Sequence, residues 1–147
     1  AGAGGGWEES VILTMTHMFD LLNGRYSILS GPGIDPFRCW IMEREWKFNE
    51  PNVSCVPRDE YVLQRHDGVK YSNTWALIGD CVGHFADEDK PRYACVLHDA
   101  KWPTELRGCL APARSIGHSG MAVDSVGILE ELIDMLNVHD THQILMQ

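Results

Sequence analysis

The sequence contains no apolar run as long as the ~18 residues that a membrane-spanning helix needs. Its most apolar early stretch, residues 11–22, is interrupted by Thr14, Thr16, His17 and Asp20. Basic residues are also scarce: 12 Lys and Arg stand against 21 Asp and Glu, a formal net charge of −9 over 147 residues. Nucleic acids and anionic membrane surfaces are bound largely through Lys and Arg, so we expect neither a nucleic-acid partner nor membrane insertion.

The N-terminus lacks the features of a signal peptide, and the cysteines do not form a disulfide framework. Residues 1–6 contain only Ala and Gly, without a basic or an apolar region. We therefore expect a flexible Ala/Gly-rich tail over residues 1–10 and one domain over residues 11–147. Five cysteines are an odd number at low density, which favours mostly buried thiols in a reducing compartment.

Turn signals and alternating apolar residues predict a β-rich domain. Asn23-Gly24 and Asp67-Gly68 suit type I′ turns, which would join residues 11–22 to 25–30 and residues 60–66 to 69–75 as hairpins. Along residues 37–42 the side chains alternate with the period of two that is typical of a strand, which predicts a third strand. Residues 92–98 predict a short strand, with one face formed by Tyr93, Cys95 and Leu97.

One amphipathic helix is predicted near the C-terminus, where apolar residues recur at three- and four-residue spacing. These residues are Ala122, Val126, Leu129, Ile133 and Leu136. Ser119 or Asp124 can cap the helix start, and Asn137 can take the left-handed position at its end. Residues 142–146 predict a last strand. The fold class is therefore mainly β (α+β): an antiparallel β-rich single domain, a small barrel or sandwich, with one C-terminal helix packed on the sheet.

Two Cys-x-x-His units, Cys81/His84 and Cys95/His98, invite a zinc interpretation. Residues three apart on a strand point to opposite faces, so Cys95 and His98 could not easily share a metal. The acidic residues 87–91 lack the ligand spacing and the glycine of a calcium loop, and a solvated turn explains them better. We therefore expect no metal and no cofactor.

Two further catalytic patterns have simpler explanations. In Gly117-His118-Ser119-Gly120, the glycine that a nucleophile elbow needs two places after the serine is replaced by Met121, so Ser119 fits a helix cap. Glu43 and Glu45 would share a strand face at a spacing that either glycosidase geometry allows. A solvated strand face is the simpler interpretation, but a lysozyme-like glycan hydrolase stays open as a third hypothesis.

A histidine strand followed by Gly-Cys is the most informative pattern in the chain. His98 ends the predicted strand at residues 92–98, and Gly108-Cys109 follows eleven residues after this histidine. A cysteine nucleophile needs an imidazole that can accept or hold its proton, and Arg107 could lower the thiol pKa or bind a carboxylate. The pattern indicates a candidate catalytic site of Cys109, His98 and Arg107.

From about residue 14 to residue 136, the chain resembles a family of small phage and bacterial domains of uncharacterised activity. The resemblance lies in three segments: residues 37–46, residues 52–57 leading to Tyr61, and Val96-Leu97-His98 followed by Gly108-Cys109. The family typically has Ile-His-x-Gly-Asn and then Gly-Cys in the third segment. That pattern is in turn similar to the catalytic core of L,D-transpeptidases, in which a histidine strand precedes a Ser-His-Gly-Cys loop.

The resemblance implies a phage-associated enzyme that cleaves or transfers peptide bonds of bacterial peptidoglycan, with Cys109 as nucleophile and His98 as base or orienting residue. Gly108 matches the glycine before the nucleophile, and we expect it to contact substrate together with Lys101 and Tyr93. Arg107 stands where the transpeptidases have a histidine. The alternative is a non-catalytic phage module that binds the wall or other virion proteins. Either hypothesis implies a location in the virion or in the host cytoplasm or envelope.

Overall fold

The computed structural model describes residues 10–85 and 89–147, with 42% strand and 11% helix. Residues 1–9 of the predicted tail and part of the acidic turn at residues 87–91 thus lie outside the described residues. The longer strands are β1 (Ile12–Leu21), β2 (Gly24–Ser30), β3 (Arg38–Arg44), β4 (Glu60–His66) and β5 (Thr74–Ile78). The short ones are β6 (Val82–Gly83), β7 (Arg92–Tyr93), β8 (Ala111–Ala113), β9 (Ser115–Ile116) and β10 (Ala122–Val123). Helix α1 (Ser125–Leu136) and strand β11 (Thr141–Met146) complete the chain.

Seven strands form one curled sheet, a half-barrel, in the order β5-β4-β11-β1-β2-β3-β8. The mainly β prediction is confirmed, but the antiparallel detail holds only in part. Strand β11 pairs with β1 in parallel and with β4 in antiparallel orientation. The C-terminal strand therefore occupies the middle of the sheet, which local turn signals do not encode.

The β1–β2 hairpin exists, but its turn lies one residue earlier than predicted. Leu21 pairs with Gly24, so Leu22 and Asn23 form the turn, and Asn23 takes a positive φ of 69°. Gly24 serves a different purpose. A Cβ atom at Gly24 would lie 2.7 Å from both the Pro103 ring and the Tyr26 hydroxyl, so the glycine allows a close approach.

The second hairpin also differs from its prediction. Strand β4 begins and ends as predicted, but β5 begins at Thr74, so Asp67-Gly68 is part of a wide loop over residues 67–73. The Asp67 carboxylate accepts a hydrogen bond from the backbone N–H of Asn73 at 2.7 Å, and the N–H of Gly68 donates to the Tyr71 carbonyl at 2.7 Å. These bonds close the wide loop in place of a two-residue turn.

Helix α1 packs on the sheet as predicted and contributes Ile128, Leu132 and Leu136 to the main core. The predicted apolar stripe is correct only in part, because Ala122 lies in β10 and Val126 is 56% exposed. The Asp124 side chain caps the helix by accepting a hydrogen bond from the N–H of Gly127 at 3.2 Å. Ser119 is not the cap, and Asn137 has a φ of −71° rather than a left-handed one. No helix within the described residues is long and apolar enough to cross a membrane.

Residues 94–98 and 107–110, named the seam below, connect the two edges of the curled sheet. Toward β5, the backbone N–H of Leu77 donates to the Cys95 carbonyl at 2.8 Å, and the N–H of Leu97 donates to the Trp75 carbonyl at 3.0 Å. Within the seam, the N–H of Leu110 donates to the Val96 carbonyl and the N–H of His98 donates to the Leu110 carbonyl, both at 3.1 Å.

The predicted strand over residues 92–98 is interrupted within the seam. Only Arg92–Tyr93 is strand, because Ala94 adopts a φ of 54° and turns the chain. Tyr93 consequently faces solvent, whereas Cys95 and Leu97 lie in the core. The three residues thus do not share one face, contrary to the prediction.

Candidate functional site

A groove of about 990 Å³ lies over the seam. It is lined by four of the six residues that the sequence analysis assigns to catalysis or substrate contact. Cys109, His98, Arg107 and Tyr93 all line it. Lys101 is not among its described lining residues. The Lys101 backbone N–H bonds to the Glu105 carboxylate at 3.0 Å, and its carbonyl accepts from Ala122 at 2.9 Å, in a segment beside the 3-10 turn at Pro103–Glu105.

Strand alternation explains why Cys109 and His98 face the same groove. Leu97 and Leu110 lie opposite each other across the seam, and both side chains point into the main core. Successive residues of an extended chain point to opposite faces. His98 and Cys109, each one residue away from this leucine pair, are therefore directed to the other face.

The Cys109 thiol is at the floor of the groove, with 5% of the residue exposed. The N–H of Val96 donates to Sγ at 3.4 Å, and the thiol donates to the Ala94 carbonyl at 3.7 Å. Burial raises the pKa of Cys109, and the Val96 N–H and the positive charge of Arg92 oppose this rise only in part. The resting thiol is therefore protonated at neutral pH.

The His98 imidazole is held from two sides. Its Nδ1 lies 2.8 Å from the carbonyl oxygen of Asp99, which can only accept, so Nδ1 bears the proton and Nε2 is the basic nitrogen of the neutral ring. The Tyr71 ring stacks on the imidazole at 4.7 Å with an angle of 9° between the planes. Sequence reasoning missed Tyr71, because the predicted tight turn made residues 69–75 a strand.

Arg92 is a buried cation that organises the loops around the groove. It is 3% exposed, and its guanidinium donates to Asn49 Oδ1, to the Ser54 carbonyl and to the Arg107 carbonyl at 3.0, 3.0 and 3.1 Å. Gly108 has a φ of +100°, and a Cβ atom there would lie 1.9 Å from Arg92 Nη2. The structure therefore requires Gly108 for the approach of Arg92, whereas the sequence suggested an approach of substrate.

The groove is cationic although the chain as a whole is acidic. Lys70, Arg92 and Arg107 line it, against the single carboxylate of Glu105 among the described lining residues. Arg107 is exposed, and the Lys70 ammonium lies 5.4 Å from the centre of the Tyr71 ring. This distribution favours an anionic ligand.

A pair of histidines also lines the groove. Nδ1 of His66 lies 2.9 Å from Nε2 of His84, and the His84 ring stacks on Phe85 at 4.0 Å. Burial, with His84 as a second cause, lowers the pKa of His66. No sequence pattern indicates this pair, because β4 and the residues after β6 are distant in the chain.

Of the other candidate residues, His84 lines the groove, whereas Cys95, Glu43 and Glu45 are not among its described lining residues. Cys95 is buried in the main core, and no three His, Cys, Asp or Glu side chains among the described residues lie together as metal ligands. Glu43 is fully buried and accepts from Arg58 Nη2 at 2.8 and 2.9 Å. Glu45 lies beyond the end of β3, with its carboxylate 3.5 Å from the Lys47 ammonium.

Comparison with protein-family models, with curated proteins and with solved structures gave no match for this chain. The resemblance to the phage and bacterial domain family therefore stays a prediction from the motifs around His98 and Cys109.

Proposed function

We propose that the groove binds the stem peptide of bacterial peptidoglycan and that Cys109 attacks one of its peptide carbonyls. The protein would then be a phage-associated peptidase or transpeptidase. The observation that carries the proposal is the presence of a thiol, an imidazole with a defined basic nitrogen, and an exposed Arg107 in one cationic groove. Stem peptides bear free carboxylates, which suit that charge.

The reaction follows from the roles of these groups. Nε2 of His98 takes the thiol proton, and the Cys109 thiolate attacks the carbonyl carbon. The amine leaves with the proton from His98, and a thioester remains on Cys109. Water or a second amine then attacks the thioester, which regenerates the thiol and releases the hydrolysed or transferred peptide. Arg107 binds a carboxylate of the substrate and so orients the peptide.

A second candidate function is wall binding or virion assembly without chemistry. The state of the thiol favours it, because Cys109 is nearly enclosed, donates to Ala94 and has a raised pKa. Catalysis requires that the bound substrate replaces this contact and that the proton reaches His98. A binding module has no such requirement, and the cationic groove suffices for it.

The first experiment is mass spectrometry of purified peptidoglycan after incubation with the protein, with Cys109→Ala and with Cys81→Ala as the matched control. Cys81 is partly exposed and lies outside the seam and the groove lining. The proposal expects new or shortened muropeptides with the unmodified protein and Cys81→Ala, and none with Cys109→Ala. Product from all three proteins would contradict cysteine catalysis.

Sedimentation with insoluble peptidoglycan separates binding from chemistry. If no protein gives product but Cys109→Ala still sediments with the wall and Arg107→Ala does not, the non-catalytic module is supported. Equal sedimentation of Arg107→Ala and the unmodified protein would remove the role proposed for Arg107 in both candidate functions.

A further inference from the structure

Two aromatic side chains protrude from the turn that follows β3. Trp46 is 40% exposed and Phe48 is 87% exposed, and their ring centres are 6.1 Å apart at an angle of 58°. The N–H of Glu50 donates to the Lys47 carbonyl at 3.1 Å and closes the turn. We name Trp46 and Phe48 the aromatic pair.

Phe48 occupies a backbone conformation that a bulky residue rarely adopts. The two central residues of the turn, Phe48 and Asn49, have φ values of 56° and 60°, the left-handed pattern of a type I′ turn. Asn tolerates this region, but an aromatic residue there is strained. Burial does not compensate for the strain, because Phe48 faces solvent. Strained residues that persist are concentrated at functional sites.

The surrounding loop holds the strained turn in place and joins it to the groove. Ser54 Oγ accepts from the N–H of Lys47 at 2.8 Å, and Asn49 Oδ1 accepts from Arg92 at 3.0 Å. The same Arg92 donates to the Arg107 carbonyl, two residues before the candidate nucleophile Cys109. Further along the loop, residues 51 and 52 line the groove. The aromatic pair thus belongs to the loop that forms one groove wall.

We propose that the aromatic pair binds sugar rings of the peptidoglycan glycan strand, an inference that rests on the proposed function. The stem peptide is attached to a sugar of this strand, so a peptide in the groove brings sugar rings to the groove wall. The apolar C–H faces of a pyranose stack on aromatic rings such as Trp46 and Phe48. The nearby charges of Glu45 and Lys47 lie 3.5 Å apart, which leaves the platform without a strong preference for one charge.

The size of the patch distinguishes a sugar from a protein partner. A stable protein interface buries roughly 800 Å² on each partner, whereas one aromatic residue buries about 150–250 Å². Two partly exposed rings therefore match one or two sugar units better than a protein surface.

The test measures binding of glycan strands from which an amidase has removed all stem peptides. We expect Phe48→Gly to weaken binding at least about tenfold, the scale of losing one central aromatic contact. The same substitution relieves the strained φ, so its thermal midpoint should be unchanged or higher by about 2–4 °C. The matched control is Ile34→Ala, a fully exposed residue before β3, which should bind like the unmodified protein.

Three outcomes would overturn the inference: no binding of bare glycan strands by the unmodified protein, equal binding by Phe48→Gly, or self-association that Phe48→Gly abolishes in place of glycan binding. Isolated stem peptides keep this test distinct from that of the proposed function. Arg107→Ala should weaken peptide binding and leave glycan binding intact, and Phe48→Gly should do the reverse. Glycan binding without peptide binding would support the aromatic pair and contradict the peptide groove.

Discussion

The curled sheet and the seam are built from different interactions. The sheet consists of strand ladders with a register shift in β1 between His17 and Phe19. Its central strands bury large apolar residues such as Leu13, Met15 and Ile144 completely or almost so. The seam relies on four backbone hydrogen bonds and a buried arginine, and both Ala94 and Gly108 have positive φ. The regular region supplies most of the core, and the irregular region presents the candidate site residues His98, Arg107 and Cys109 to the groove.

This contrast indicates in which region small substitutions should reduce stability most. An apolar core can repack around a modest change, whereas a buried guanidinium with fixed partners cannot move without losing hydrogen bonds. We therefore expect the seam to tolerate less substitution than its short length suggests.

The greatest loss of stability is expected for Gly108→Ala. The new methyl group would overlap the Arg92 guanidinium and would also require an unfavourable φ, so we expect a loss of about 4 kcal/mol in the free energy of unfolding. Gly33→Ala is the matched control, because Gly33 has nearly the same φ, +102°, and a Cβ atom there would have no neighbour within 4 Å. Only the strain remains there, about 1 kcal/mol. Urea denaturation checks both, and equal losses would show that Arg92 moves freely.

The next effect concerns the ion pair between Glu43 in β3 and Arg58 in the loop before β4. Burial raises the pKa of Glu43 against the opposing effect of Arg58, so keeping this fully buried carboxyl charged at pH 7 in Arg58→Met should cost about 3 kcal/mol. The double substitution Glu43→Gln with Arg58→Met removes the unpaired charge and should recover a large part of the loss. A double variant no more stable than Arg58→Met alone would contradict the importance of this charge.

A smaller effect is the dependence of stability on pH through His142 in β11. Its Nε2 donates to the Leu136 carbonyl at 2.6 Å and its Nδ1 accepts from the Val11 N–H at 2.8 Å, so the folded ring is neutral. Burial lowers the pKa of His142 below its ordinary value of 6.5. Below pH 6.5 the unfolded chain binds a proton at His142 that the folded chain does not. The free energy of unfolding therefore decreases as the pH is lowered, by up to about 1.4 kcal/mol per pH unit.

Urea denaturation at several pH values from 7.5 to 5.5 measures this slope. His142→Asn should reduce it, and His66→Asn provides the comparison in the groove, because burial lowers the pKa of His66 as well. If neither substitution changes the pH dependence of the unfolding free energy, other titratable groups cause the loss of stability at low pH.

The smallest perturbation is thiol labelling, which compares sheet and seam without a mutation. Cys81 is partly exposed and should react first with N-ethylmaleimide. Cys39, buried in β3 with burial raising its pKa to about 12, should react last. If the seam opens more readily than the sheet, Cys109 should react more slowly than Cys81, by more than about tenfold, and faster than Cys39. Mass spectrometry of peptides gives the order, and Cys39 reacting before Cys109 would reverse the comparison.

Local signals predicted the regular parts of the fold well. The alternation in β3 and β4, the 3.6-residue period of α1 and the final strand were all visible in the sequence, because each depends on neighbouring residues. The central, parallel placement of β11 depends on contacts with β1 across more than a hundred residues, and no local pattern encodes it.

The candidate site was predictable only where a short motif carried it. His98, Arg107 and Cys109 were found because Gly-Cys follows a histidine, and the structure brings all three to one groove. Tyr71 was missed because Asp67-Gly68 resembles a tight turn, although Asp67 actually closes a wide loop. Arg92 was missed because its described hydrogen-bond partners are the Asn49 side chain and the backbone carbonyls of Ser54, Cys55 and Arg107, all of them distant in the sequence.

The middle position of β11 has a consequence for synthesis on the ribosome. Until residues 141–146 have left the exit tunnel, β1 and β4 lack the strand between them, and each has an unpaired edge. Unpaired edges are the surfaces through which nascent chains associate wrongly. Ribosome-bound chains stalled before residue 141 should therefore be protease-sensitive and prone to aggregate, and the sheet should form as one late, cooperative event.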